Sequence, residues 1–152
     1  FSILEDRKKQ VGETMKNIAI VYWSGTGNTK IMAESIKEGA GDSAKLFAAE
    51  EFSADMIDDF DAVALGCPSM GAEELESDVF RPLWEELVPK LSGKSVALFG
   101  SYGWGDGEWM RLWEEEANEA GIELAHPALT VHETPDQEGM DECRSLGESL
   151  SF

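Results

Sequence analysis

KNIAIVYWSGTGNT, residues 16–29, decides how the chain is read. Its first half is a nearly continuous apolar run, the mark of a short strand covered on both faces. Its second half is glycine, hydroxyl and amide. The segment that follows, TKIMAESIKEG (29–39), puts Ile31, Met32, Ser35 and Ile36 on one helical face and ends at a glycine. A buried strand, a loop of small residues and a helix in direct succession make a βα unit, the building block of a parallel sheet.

The alternation continues to the end of the chain. Ala44–Ala48 reads as a short strand, followed by a polar stretch containing DMIDDF. Asp61–Gly66 (DAVALG) is nearly continuous apolar, as a strand covered on both faces should be. Asp78–Leu91 predicts a helix with Phe80, Leu83, Trp84, Leu87 and Val88 on one side, ended or kinked by Pro89. Lys94–Gly100 (KSVALFG) is another buried strand, and Glu108–Ala120 a helix closing at Gly121. Ile122–Val131 is the candidate fifth strand, interrupted by Pro127 as an edge strand tolerates. Asp136–Leu150 is the last helix, behind Pro135. The fold class is therefore α/β, a five-stranded parallel sheet with helices on both faces and no linker dividing it.

Composition narrows the function. A chain of 152 residues, 42% apolar, is one domain with a sizeable core. No apolar run approaches the ~20 residues that a membrane-spanning helix needs. Residues 1–14, FSILEDRKKQVGET, lack the apolar core of a secretory signal and read as a leader or poorly ordered tail ahead of a domain spanning 15–152. Cys67 and Cys143 form no CxxC or Cys/His cluster, which argues against disulfides or zinc and suits a reducing cytoplasm. A net charge of −19 makes nucleic acid and anionic membrane unsuitable partners and points to basic protein surfaces; a monomer is expected.

In folds of this class ligands bind beyond the carboxyl ends of the strands, where strand order reverses. Three loops qualify. In the first, the hydroxyls of Ser24, Thr26 and Thr29, the Asn28 amide and the backbone around Gly25 and Gly27 precede a helix N-terminus, which binds an anion without Lys or Arg. The spacing is neither G-x-G-x-x-G, since Lys30 takes the last position, nor a Walker loop, so a monophosphate fits better than a triphosphate with magnesium. The plainer alternative is a polar turn with Asn28 or Thr29 capping the helix. In the third loop, Ser101–Asp106, Tyr102 and Trp104 stand among Gly103 and Gly105, so an aromatic can stack on a planar ligand. In the second, Pro68–Glu73, Ser69 is flanked by Pro68 and Met70; Met70 offers a soft apolar contact, and Glu73 a hydrogen-bond acceptor. Together the loops describe a site for a planar ring carrying one phosphate, which points to flavin mononucleotide (FMN).

IVYWSGTGNT, LGCPSMGAEELE and KSVALFGSYGWGDGEWM make that reading specific: from Met15 onward the chain resembles a short-chain bacterial flavodoxin. The resemblance implies a three-layer sandwich with strand order 2-1-3-4-5 and a non-covalent FMN. It implies a phosphate loop at Ser24–Thr29, Trp104 on the outer flavin face and Met70 on the inner. Gly71 is implied to turn its peptide toward flavin N5–H, and Glu73 to lie near N3–H. Ala72 stands where relatives carry varied polar residues, so its side chain gives the turned peptide no support. Lys30 either faces solvent or strengthens phosphate binding.

The implied function is a low-potential one-electron carrier that moves between semiquinone and hydroquinone, serving partner redox enzymes and not itself an enzyme. No Lys, Arg or His lies in the two ring loops to neutralise a reduced flavin, so the second electron is hard to add. Each ~1.4 kcal/mol of such difference moves a one-electron potential by about 60 mV. The competing reading, an FMN reductase acting on a small acceptor such as a quinone, needs an open pocket over a flavin face. A phosphoacceptor receiver needs carboxylates at strand ends that this chain lacks. Cys67 reads as a small core residue, Trp84 and Trp113 as core, Trp109 as the start of a helix near the site, and Glu114–Glu116 as a solvated helix face. His126 and His132 are given no chemistry.

Overall fold

The computed structural model describes residues 17–25, 27–70, 74–103 and 105–151. Five strands form one parallel sheet: β1 (Ile18–Tyr22), β2 (Ala44–Ala48), β3 (Ala62–Gly66), β4 (Ser95–Tyr102) and β5 (Leu129–His132), in the expected order β2-β1-β3-β4-β5. Among the described residues four α-helices cover it: α1 (Asn28–Ala40), α2 (Phe80–Leu87), α3 (Glu108–Glu119) and α4 (Gln137–Leu150). Order reverses at β1 and β3, so the loops after β1, β3 and β4 open at one end of the sheet.

Side chains alternate between two cores, as the period of a strand requires. Val21, Val63, Leu65, Val96 and Leu98 face α2 and α3, where Trp84, Trp109 and Trp113 fill the space. Ile18, Ile20, Ala62, Ala64 and Ala97 face α1 and α4. The alanines on this second face let both helices lie close to the sheet and to one another. At their crossing Gly39 meets the Arg144 backbone and Gly147 the Ile36 carbonyl; a Cβ on Gly147 would clash with that oxygen. Trp84 and Trp113 are thus core residues, as expected, and Cys67 is fully buried at the end of β3.

Several boundaries differ from expectation, each for a local reason. The helix expected from Asp78 begins at Phe80, because the Glu76 carboxylate captures the Asp78, Val79 and Phe80 amides at 2.9, 2.8 and 2.8 Å. It ends at Leu87, and Pro89 sits in a 3₁₀ turn, Val88–Lys90. The DMIDDF stretch lies largely within a 3₁₀ turn, Ala54–Asp59. β5 is shorter and later than Ile122–Val131: Leu124 makes only an isolated bridge to Val96, and regular pairing starts after Pro127. That late strand pairs with Ser101 and Tyr102, so β4 runs two residues past Gly100 into the third loop. Glu116 is not simply solvated; it takes Arg81 Nη1 at 2.8 Å and the Trp84 indole N–H at 3.3 Å, tying α3 to α2.

Candidate functional site

The first loop leaves β1 through Trp23, whose N–H donates to the Gly66 carbonyl at 2.9 Å and holds the loop over β3. Gly27 caps α1 with φ 98°, a left-handed conformation that glycine adopts without steric cost. Its amide donates to Ser24 Oγ at 2.9 Å. Neither Asn28 nor Thr29 caps the helix, contrary to the alternative weighed from sequence; no side chain does among the described residues. The Asn28, Thr29 and Lys30 amides therefore end α1 without intrahelical acceptors, at its positively polarised end. Thr29 is buried, with its hydroxyl 3.2 Å from Ser101 Oγ across the cleft floor. Lys30 is exposed to solvent.

A cleft of about 330 Å³ opens between the three loops, lined by Gly25, Asn28, Pro68, Ser69, Met70, Ser101, Tyr102 and Gly103. Those eight candidates, from separate stretches of sequence, are thus brought to one place. Ser69 is only 4% exposed, yet its hydroxyl has no hydrogen-bond partner among the described residues. Ser24, Gly27 and Thr29 stand behind the lining. Gly105 is exposed, and Asp106 turns to Arg111 at 2.9 Å. Thr26, Gly71, Ala72, Glu73 and Trp104 lie outside the described residues, as does the expected leader, 1–14.

The structure adds a fourth segment that the sequence reading passed over. Glu133 lines the same cleft and holds φ 61°, left-handed without being glycine, while its amide donates to the Tyr102 carbonyl at 2.7 Å. Next to it Thr134 Oγ1 donates to Asn28 Oδ1 at 3.1 Å, joining the loop after β5 to the first loop. The His132 ring packs at a tilt against Tyr102, with centroids 5.1 Å apart. Nothing in HETP marks a site by composition; only the late start of β5 brings it there.

The Cys67 thiol is pushed up to about 12, first by burial and further by the nearby Glu76 carboxylate, against a lowering hydrogen bond from the Glu76 amide. It is no nucleophile at neutral pH. Behind the third loop Trp109 is fully enclosed, donating its indole N–H to the Cys67 carbonyl at 3.1 Å. Among the described residues no group of His, Cys, Asp and Glu is arranged to hold a metal.

With the geometry in place, comparison with known proteins is decisive. The sequence profile of the Flavodoxin family matches residues 20–147. The chain belongs to the flavodoxin family. The Megasphaera elsdenii flavodoxin is 45% identical over 137 residues, 88% of this chain and 98% of that protein. The Clostridium beijerinckii flavodoxin is 47% identical over 135 residues, 87% of this chain and 97% of that one. The solution structure of the two-electron reduced Megasphaera flavodoxin superposes with a TM-score of 0.77, covering 88% of this chain and 97% of that one at 43% identity. Both the short-chain resemblance and the strand order expected from it are borne out. Flavodoxins are electron-transfer flavoproteins with FMN as cofactor and are not enzymes, so the chain is an FMN electron carrier.

The described residues suit that cofactor. A phosphate needs donors and little else, and the first loop ends at the uncapped N-terminus of α1, with the orphaned Ser69 hydroxyl lining the same cleft as Asn28. No lysine, arginine or histidine lines the cleft among the described residues.

Proposed function

We propose that the cleft holds the FMN phosphate with Ser24, Thr26, Asn28, Thr29 and Ser69, and that Met70 and Trp104 pack on opposite faces of the ring. Glu73 is assigned to the ring N3–H and the Gly71 carbonyl to N5–H. The observation that carries this reading is the buried Ser69 hydroxyl, without a partner among the described residues, in one cleft with a helix N-terminus that no described side chain caps. FMN supplies the redox chemistry; the chain supplies orientation, exclusion of water and the local field.

That field sets the kind of carrier. The carboxylate lining the cleft among the described residues is that of Glu133, and the chain as a whole carries −19. Added negative charge on the ring meets no neutralising cation and is unfavourable in a partly desolvated site. Addition of the second electron is thereby displaced to low potential, leaving two separate one-electron steps. The protein serves as a monomer, passing single electrons to partner proteins with basic docking surfaces. Its two buried free thiols favour the cytoplasm.

A spectroelectrochemical titration of the FMN-loaded protein tests this reading. Two resolved one-electron waves, the second well below that of free FMN, are expected; one unresolved two-electron wave contradicts it.

A further inference from the structure

We propose that the groove between α2 and α3 seats the redox partner: an apolar side chain of a basic protein packs beside Leu112, and its flanking lysine or arginine groups face the glutamates of the rim. This deepens the carrier reading and rests on it.

Leu112 is the large apolar side chain left exposed, at 47%, among the described residues. It stands beside Trp113 on a helix whose other large apolar residues, Trp109, Met110 and Trp113, are buried. Leu112 edges a hollow of about 370 Å³, whose apolar lining also includes Leu75, Trp109 and Trp113. A second hollow of about 360 Å³ continues between the same helices past Trp84 and Val88, sharing Glu116 with the first. The floor residues Leu75, Trp109 and Trp113 are themselves buried, so the apolar surface left for a partner to cover is that of Leu112.

Charge identifies the occupant. Glu74, Glu85, Glu116 and Glu119 line the two hollows, against one cation, Arg81. Arg81 is engaged by Glu116 at 2.8 Å and by Glu85 at 3.3 Å, so the rim is net negative. A second copy of this chain, also carrying −19, is repelled, whereas a surface of lysines and arginines around an apolar residue is attracted.

Position makes the seat useful for electron transfer. Trp109, in the groove floor, meets the Tyr102 ring at 5.5 Å behind the third loop. Glu74 closes the second loop by paired hydrogen bonds with Met70, at 2.9 and 2.8 Å, and stands at the groove edge. A protein seated there lies against both ring-binding loops.

The test titrates ¹⁵N-labelled, FMN-loaded protein with a lysine-rich c-type cytochrome whose haem edge is apolar, both oxidised, and measures affinity by calorimetry. Amide shifts are expected to centre on Leu112, Trp113 and Glu116. Leu112→Ser is expected to weaken binding about fivefold at low and high salt alike, and Glu119→Gln to weaken it only at low salt. Absence of binding, shifts centred off the groove, or unchanged affinity in Leu112→Ser overturns the seat. The visible spectrum of the same samples separates the two claims: a protein that holds FMN but fails these measurements loses the seat alone, and one that holds no FMN loses the carrier reading and the seat with it.

Discussion

Ser69 is polar, enclosed and without a partner among the described residues, a condition that costs about 1–3 kcal/mol unless a ligand completes it. Replacing it with alanine is expected to weaken FMN binding at least tenfold while leaving riboflavin, which lacks the phosphate, unaffected; flavin fluorescence during titration of the apoprotein reads both. Equal loss for both ligands removes the hydroxyl from the phosphate. Glu133 is the other unusual residue, since φ 61° brings its Cβ too close to the backbone. Its contact with His132 Nε2, at 3.6 Å and well exposed, offsets little of that. Glu133→Asn is expected to stabilise the apoprotein by about 0.5–1 kcal/mol in urea denaturation, because asparagine tolerates this conformation. These two residues differ in how they could be found. Ser69 lay in a loop that the alternation of strand and helix had already singled out. Glu133 and Thr134 lay in HETP, where nothing separates a site from an ordinary turn until the pairing of β5 with Ser101 and Tyr102 is known.

At the scale of elements, the crossing of α1 and α4 and the start of α2 carry definite consequences. A methyl on Gly147 meets the Ile36 carbonyl, which is backbone and has nowhere to move. Gly147→Ala is expected to destabilise the fold by about 3 kcal/mol, as overpacking at a rigid contact does; a change below ~1 kcal/mol in urea denaturation would contradict the packing. At the start of α2, burial alone would raise Glu76, but three backbone amides outweigh it and hold the carboxyl below its ordinary range. A folded-state value depressed in this way adds stability that is fully present above the unfolded value of about 4.3. The contribution is lost as pH falls through the folded value. Glu76→Gln should therefore be the less stable protein at pH 7 and approach the parent below pH ~4; a difference that stays constant with pH would sink this assignment. The strands were legible because continuous apolar runs have few other readings, and the sheet order came through resemblance. The ends were less legible: Glu76 delays α2 by capturing three amides that the helical pattern alone does not withhold, and although Pro127 marked an interruption, where β5 begins is set by its pairing with β4.

At the scale of the molecule, charge dominates. A chain with 31 acidic and 12 basic side chains repels itself when folded, and exposed charges are screened over ~10 Å at 0.1 M salt. The apoprotein is expected to gain stability as sodium chloride rises from 10 mM to 500 mM; a fall would mean that the surface ion pairs outweigh the repulsion. The same excess charge sits over a cleft whose described lining has no cation, and the proposal is that amides and hydroxyls hold the cofactor's phosphate. Titration of the apoprotein with FMN and with riboflavin, side by side, tests that most directly. One FMN per chain, bound at least a hundredfold more tightly than riboflavin, is the expected result; equal affinity for the two, or no saturable FMN binding, would contradict it.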